Sequence, residues 1–181
     1  EVLEHYQAEI EASQALAHYQ LTKEKYFLVS LHRAENVDLK ERLTNFIKAF
    51  QLLFDYYQIP ILCSLHPRTR SQLEKNNHQF ENTGVIAVKP MGLFDFIHLE
   101  KQAACVLTDS GTVQEECCIL KIPNVTLRDV TGSNIISGNQ PEHILKAVAI
   151  ALQPDYNWIV PPEYTRKQVS QTVLKIMLSE N

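Results

Sequence analysis

The sequence lacks any long apolar run. No stretch approaches the roughly 18 to 20 uninterrupted apolar residues that a membrane-spanning helix requires, and the N-terminus has no basic-then-apolar signal-peptide pattern. We therefore expect no membrane partner. An initiator Met is also missing, and the chain starts at Glu1 inside a helical pattern, which we interpret as a piece cut from a longer protein.

An excess of positive charge is missing as well. The 17 lysines and arginines are outnumbered by 21 acidic residues, which gives a formal net charge of −4. This balance argues against a general nucleic-acid or anionic-membrane surface. It is compatible with a small anionic ligand, because one pocket of an acidic protein can be locally positive.

Cysteine is scarce and follows no metal-binding pattern. Cys63, Cys105, Cys117 and Cys118 form no C-x-x-C spacing, and all four lie in apolar surroundings. Neither a zinc site nor a disulfide framework is indicated, so we expect no metal. Buried thiols are typical of a reducing compartment, which predicts a cytoplasmic protein.

What the sequence does contain is one domain's length, 181 residues, in which short apolar runs alternate with helical patterns. Strands are predicted over residues 26–31, 59–65, 84–88, 105–108 and 125–127, with a weaker one at 134–136. Helices are predicted over residues 3–19, 71–76, 93–102, 113–120, 141–152 and 165–178, and from a capping box at Asp38 and Glu41 to residue 57. This alternation predicts an α/β, Rossmann-like three-layer domain with a parallel sheet.

Polar residues follow the predicted strands at the point where each strand ends. The sequences there are H-R-A-E-N at 32–36, H-P-R-T-R at 66–70, K-P-M-G at 89–92, D-S-G-T at 109–112 and R-D at 128–129. In an open parallel sheet, ligands bind beyond the carboxyl ends of the strands. Two histidines and three arginines at the first two ends exceed the ordinary polarity of loops, which predicts a ligand site at this edge.

The D-S-G-T turn opens a predicted helix, whose N-terminus favours anions. The hydroxyls of Ser110 and Thr112 add two donors, and Gly111 would let a phosphate approach the backbone. An ordinary N-cap explains the same residues equally well. The G-x-G-x-x-G fingerprint and the Walker lysine are both absent, so neither NAD nor ATP is indicated.

His32, which directly follows the first predicted strand, has three candidate roles. It could be a general acid or base, a phosphate donor, or a structural imidazole. Its position beside Arg33 and Glu35 at the predicted edge favours a functional role.

Two motifs carry a resemblance to a known family. Residues 32–37 (H-R-A-E-N-V) are similar to the H-R-x-E-N-V segment of the non-hydrolysing UDP-N-acetylglucosamine 2-epimerase family, and residues 108–116 (T-D-S-G-T-V-Q-E-E) resemble its T-D-S-G-G-[IV]-Q-E-E. K-I-P at 121–123 and L-R-D-V-T at 127–131 match its G-K-P…R-D-x-T continuation. Residues 66–70 look closest to a branch that acts on modified UDP-amino sugars. The similarity runs from about residue 3 to residue 178.

The resemblance implies a glycosyltransferase-B-like fold, two Rossmann-like domains with a UDP-sugar in the cleft between them. Residues 1–181 would be the second, C-terminal UDP-binding domain, and the N-terminal domain would be a missing partner within the same protein. The implied reaction inverts C2 of UDP-N-acetylglucosamine: UDP leaves by elimination to give a 2-acetamidoglucal, and adds back after C2 is reprotonated on the other face. The carboxylates that handle the C2 proton would belong to the missing domain.

The resemblance also assigns residues. His32 matches the catalytic histidine, Ser110, Gly111 and Thr112 match the diphosphate-binding turn, and Glu116 matches the carboxylate that holds the ribose. Arg33 and His66 join the substrate-binding set as their strand-end neighbours. The predicted UDP-sugar-binding residues are Arg33, His66, Ser110, Gly111, Thr112 and Glu116.

The chain departs from the family pattern at two places. Thr112 stands where the family usually has a second Gly, so its β-carbon narrows or re-aims the phosphate site. The family's E-R-P-E, whose Arg would reach the phosphates, is missing after Thr131. Only six residues separate Leu127 from Asn134, whereas a parallel crossover needs about a dozen. Either residues 134–136 are not a parallel neighbour, or a loop is missing between Thr131 and Gly132, as a deletion or as an omitted disordered segment.

The leading interpretation is therefore the nucleotide-binding domain of a UDP-N-acetylglucosamine 2-epimerase, without a cofactor and without turnover when isolated. A 2-epimerase of a modified UDP-amino sugar is the nearest alternative. A UDP-sugar glycosyltransferase and a non-enzymatic binding or regulatory module are the others, since a fold alone does not fix a function. We expect the full-length protein to be a homodimer.

Overall fold

A parallel sheet lies at the centre of the computed structural model, which describes residues 1–80, 83–129 and 135–179. Its strands are β1 (Phe27–Leu31), β2 (Ile61–Leu65), β3 (Val85–Val88), β4 (Cys105–Thr108), β5 (Asn124–Thr126) and β6 (Ile135–Ile136). They pair in the order β3-β2-β1-β4-β5-β6, and every pairing is parallel. The predicted parallel sheet is confirmed, and the strand bounds differ from the predicted ones by at most two residues.

Helices cover both faces of this sheet. They are α1 (Val2–His5), α2 (Gln7–Glu11), α3 (Ala15–His18), α4 (Ala34–Val37), α5 (Lys40–Tyr57), α6 (Pro67–Lys75), α7 (Leu93–Gln102), α8 (Gly111–Leu120), α9 (Pro141–Ala151) and α10 (Val169–Ser179), with a 3₁₀ turn at Pro162–Thr165. None of the helices within the described ranges is both long enough and apolar enough to cross a membrane.

The side chains of β1 show why the domain has three layers. Phe27, Val29 and Leu31 enter one core cluster, and Leu28 enters the other, because successive side chains of a strand point to opposite faces. The first cluster packs against α5 and α9, and the second against α7 and α8. Burial on both faces explains why the strands read as continuous apolar runs, and the predicted three-layer architecture is confirmed.

The prediction of one N-terminal helix over residues 3–19 is wrong, because the segment forms α1, α2 and α3. Ser13 lies at the break between α2 and α3. Its Oγ accepts a hydrogen bond from the Ala15 N–H at 3.2 Å and donates one to Asp95 Oδ1 at 2.6 Å. A serine that bonds to nearby backbone competes with helix formation, and its contact with α7 fixes the turn.

The predicted capping box at Asp38 and Glu41 is also wrong. Helix α5 begins after Leu39, which makes no side-chain cap. The Asp38 carboxylate instead accepts a hydrogen bond of 2.9 Å from Arg68 Nε. Arg68 belongs to α6, which begins at Pro67, four residues before its predicted start. The last helix likewise begins at Val169 instead of residue 165.

The position of strand β6 rules out one of the two explanations for the short segment between Leu127 and Asn134. It pairs in parallel with β5, in the register Val125↔Ile135 and Thr126↔Ile136. The idea that this strand is not a parallel neighbour is therefore wrong. The predicted gap between Thr131 and Gly132 lies outside the described residues and stays a prediction.

Candidate functional site

The end of β1 meets the end of β4 at the predicted edge. His32 follows β1 and Asp109 follows β4, and the two strands are direct neighbours in the sheet. His32 Nδ1 lies 3.2 Å from Asp109 Oδ1. The His32 side chain is 42% exposed and the Asp109 side chain is fully buried. The partly exposed His32 imidazole thus lies against the buried Asp109 carboxylate.

Asp109 makes most of the hydrogen bonds at the place where the ends of β1 and β4 meet, which we call the corner. Its carboxylate accepts hydrogen bonds from the main-chain N–H groups of His32 (3.1 Å) and Arg33 (2.9 Å), and from Asn36 Nδ2 (3.0 Å). Asn36 Nδ2 also donates to the Leu127 carbonyl at 2.9 Å, which ties α4 to the end of β5. The sequence placed Asp109 and Asn36 at the edge and missed these roles. A carboxylate directly after a buried strand was the signal that could have suggested one.

The end of β2 adds a second imidazole. His66 is the N-cap of α6, and its Nδ1 accepts a hydrogen bond of 3.3 Å from the Arg68 N–H. Its ring centroid lies 6.3 Å from that of His32. The two histidines that the sequence placed at neighbouring strand ends are therefore adjacent in space. Arg68 itself turns away to pair with Asp38.

Three arginines line the same edge. Arg33 Nε donates to the Asp109 carbonyl at 2.7 Å, and Arg33 Nη1 lies 3.9 Å from Glu35 Oε1. Arg128 Nε, from the loop after β5, lies 3.9 Å from the same Glu35 oxygen. Arg42 donates from α5 to the Asp129 carboxylate at 2.8 Å. Glu35 thus sits between two guanidinium groups.

Helix α8 begins at this edge, after the N-cap Ser110. The Ser110 Oγ accepts from the Val113 N–H at 3.5 Å, so the predicted cap is present. The first N–H groups of a helix, here those of Gly111 and Thr112, have no partner within the helix. Among the described residues, no atom lies within 4 Å of a β-carbon added at Gly111. The described part of the chain therefore does not crowd the backbone at the first turn.

Glu116 lies one turn further into α8 and is half-buried. Burial, together with the neighbouring Glu115, raises the pKa of Glu116 to about 7. At neutral pH this carboxyl group is consequently divided between its acid and its carboxylate. Such a group can both donate to and accept from a hydroxyl pair.

The strand ends that the sequence singled out do not all meet. Those of β1, β2, β4 and β5 are joined by the contacts above. Lys89 and Gly92 follow β3, the outermost strand on its side, with β2 between β3 and β1. Within the described part of the chain, no three His, Cys, Asp or Glu side chains converge in a way that could hold a metal ion.

A parallel sheet with helices on both faces defines a Rossmann-like α/β domain. The two histidines, the arginines and the helix N-terminus at one edge are groups that suit a small anionic ligand. The particular family follows from comparison with known proteins. The family model described as UDP-N-acetylglucosamine 2-epimerase matches residues 1–178, and the chain belongs to that family.

Two curated relatives show the range of the family. The UDP-N-acetylglucosamine 2-epimerase of Methanocaldococcus jannaschii is 44% identical over 147 residues, covering 75% of this chain and 40% of the relative. The UDP-2,3-diacetamido-2,3-dideoxy-D-glucuronate 2-epimerase of Pseudomonas aeruginosa is 33% identical over 139 residues, covering 72% and 38%. The chain thus spans about two fifths of the relatives it matches.

A solved structure agrees with the fold. The crystal structure of the Methanocaldococcus jannaschii UDP-GlcNAc 2-epimerase in complex with UDP-GlcNAc and UDP superposes with a TM-score of 0.87 at 36% sequence identity. The match covers 98% of this chain and 51% of the solved one. Nearly the whole chain therefore corresponds to about half of that enzyme.

Proposed function

We propose that residues 1–181 form the C-terminal UDP-binding domain of a UDP-N-acetylglucosamine 2-epimerase, the second half of a glycosyltransferase-B-like fold. The observation that carries the proposal is the corner where His32, His66 and the open first turn of α8 meet. The coverage of about half of a solved relative supports a second domain across the cleft.

The diphosphate is assigned to the start of α8. The N–H groups of Gly111 and Thr112 and the hydroxyl of Ser110 would bind its oxygens, since a helix N-terminus carries partial positive charge. Arg33 and His66 would add donors from the neighbouring strand ends. Positive groups at this place stabilise the charge that develops on a departing diphosphate.

Glu116 is assigned to the ribose. It lies one turn beyond the phosphate turn on the same helix, and its carboxylate would accept from the ribose hydroxyls. Thr112 follows Gly111 in the first turn of α8, at the position where the family pattern has a second Gly. Its side chain is exposed, so it would contact the ligand without disturbing the core.

His32 is assigned to the chemical step. Elimination breaks the bond from C1 to the UDP oxygen while the C2 proton leaves, which yields UDP and a 2-acetamidoglucal. Re-addition of UDP at C1, with a proton returning to the opposite face of C2, yields the epimer. The His32 imidazole, beside the proposed diphosphate site, is suited to moving a proton near the departing UDP. Carboxylates of the N-terminal domain would handle the C2 proton, so this chain alone would have no turnover.

A 2-epimerase of a modified UDP-amino sugar is the second candidate. The 33% identical Pseudomonas aeruginosa relative, named for a diacetamido-glucuronate, supports it. A homodimer of the two-domain protein and a cytoplasmic location complete the proposal. The free, buried state of Cys63, Cys105, Cys117 and Cys118 supports the location.

The test is product analysis on the two-domain protein that contains this domain. In deuterated water, UDP-N-acetylglucosamine should yield its C2 epimer with deuterium at C2, without any acceptor. His32→Asn should remove the activity, while His5→Asn, at an exposed position on α1, should not. A requirement for an acceptor, or products without C2 deuterium, would refute the epimerase and favour a glycosyltransferase.

A further inference from the structure

The contacts of Asp109 restrict how His32 can carry its proton. An ionised carboxylate only accepts hydrogen bonds, and Asp109 Oδ1 faces both the main-chain N–H of His32 and its ring Nδ1, at 3.1 and 3.2 Å. Nδ1 can approach a fully buried carboxylate favourably only as an N–H donor. The proton of the neutral ring therefore belongs on Nδ1, which leaves a lone pair on Nε2.

His66 is held in the opposite way. Its Nδ1 accepts a hydrogen bond from the Arg68 main-chain N–H, and a main-chain N–H can only donate. The proton of the neutral His66 ring therefore belongs on Nε2. The two imidazoles lie 6.3 Å apart, at the ends of adjacent strands.

We propose that Asp109 is a positioning residue that holds His32 in its Nδ1–H tautomer, so that His32 offers Nε2 as a base beside His66, which is fixed by Arg68 as an Nε2–H donor. One edge thereby presents a proton acceptor and a hydrogen-bond donor side by side. The catalytic meaning of this pair rests on the proposed function. The tautomers themselves do not, because they follow from contacts within this chain.

A purely structural role for Asp109 would be limited to holding the turn after β1 through main-chain N–H groups. Asp109→Asn separates the two roles. One amide position must become an NH₂ group. Oδ2 already faces three donors: the Arg33 N–H at 2.9 Å, Asn36 Nδ2 at 3.0 Å and the His32 N–H at 3.2 Å. The amide oxygen therefore belongs there, and the NH₂ group takes the Oδ1 position. It then faces His32 Nδ1, which must turn from donor to acceptor.

The direct test is a long-range ¹H–¹⁵N correlation spectrum of the ¹⁵N-labelled chain, at a pH where free imidazoles are neutral. The unprotonated nitrogen resonates well downfield of the protonated one. We expect the downfield nitrogen to be Nε2 in His32 and Nδ1 in His66. His32→Gln and His66→Gln assign the signals. A His32 ring with its proton on Nε2, or a mixture of both tautomers, would overturn the proposal even if no Asp109 variant folds.

Asp109→Asn should move the His32 proton to Nε2 and leave the His66 signals unchanged. An unchanged His32 tautomer would show that Asp109 does not set it, and would equally overturn the proposal. In the two-domain protein, the variant should lower kcat roughly 10²-fold with KM within about threefold, as expected for misdirected proton transfer. If the tautomers are as expected but the wild-type two-domain protein converts no UDP-sugar, the positioning stands and the proposed function fails.

Discussion

The thiol of Cys117 donates a hydrogen bond of 2.9 Å to the Glu100 carboxyl oxygen Oε1, joining α8 to α7 inside the core. Glu100 is fully buried, and its second oxygen, Oε2, has no hydrogen-bond partner among the described residues. Burial, the largest cause, raises the pKa of Glu100 to about 8. The core of this domain thus contains a carboxylic acid that stays protonated at neutral pH.

This acid makes the folded state bind a proton that the unfolded state has lost. Between the unfolded pKa of about 4.5 and the folded pKa of about 8, the contribution of Glu100 to the free energy of unfolding falls as pH rises. The expected slope is about 1.4 kcal/mol per pH unit. Glu100→Gln keeps the shape and removes the titration, so its stability relative to wild type should rise across this pH range.

Urea unfolding of both proteins at several pH values measures this difference. Glu142→Gln, at an exposed position on α9, is the matched control and should follow the wild type. A wild-type curve parallel to that of Glu100→Gln would show that Glu100 is ionised in the folded protein.

A substitution at Gly111 should change UDP affinity much more than stability. The α-carbon of Gly111 opens α8, and an added β-carbon would meet no atom of the described residues within 4 Å. Gly111→Ala should therefore unfold within about 1 kcal/mol of the wild type. The new methyl group would stand between the backbone and the diphosphate, so UDP affinity should fall roughly tenfold or more, about 1.4 kcal/mol.

Gly92 provides the control for that experiment. In the described part of the chain, an added β-carbon at Gly92 likewise has no neighbour within 4 Å. Gly92 is the N-cap of α7, which follows the outermost strand β3. Gly92→Ala should leave UDP affinity unchanged in calorimetric titration. Equal losses in the two variants would refute the placement of the diphosphate at α8.

Glu116 should make UDP binding depend on pH. Its carboxylate accepts from ribose hydroxyls better than its acid form does, and its pKa is raised to about 7. Affinity should therefore increase as pH rises through about 7. Because the phosphates of UDP also titrate, the quantity to measure is the affinity ratio between wild type and Glu116→Gln at each pH.

Glu115→Gln is the matched variant. Glu115 is exposed and contributes to the raised pKa of Glu116 by repulsion between like charges. Its removal should shift the midpoint of the affinity curve to lower pH without abolishing the dependence. A ratio that does not change with pH would remove Glu116 from the ribose site.

The sheet could be predicted from the sequence because β1, β2, β4 and β5 are buried on both faces. Continuous apolar runs mark such strands, and β4 was predicted with its observed bounds, Cys105–Thr108. The N-terminal segment could not be predicted, since the turn at Ser13 depends on Asp95, 82 residues away. The capping box failed for the same reason: Asp38 pairs with Arg68 from another helix.

The sequence predicted at which edge of the sheet the candidate site lies, but not which of its residues contact each other. Parallel strands bring their carboxyl ends to one edge whatever their order, so His32 and His66 could be placed there. The pairing of His32 with Asp109 depends on β1 and β4 being neighbours, and local sequence patterns do not specify strand order. The tautomers follow only from that adjacency and from the N-cap contact of His66.

Calorimetric titration of the 181-residue chain with UDP measures whether this domain binds the nucleotide at the start of α8. We expect saturable heat at micromolar to millimolar UDP, reduced in Ser110→Ala and Gly111→Ala but unchanged in Gly92→Ala. Absence of heat at millimolar UDP, with the wild-type chain folded, would contradict it.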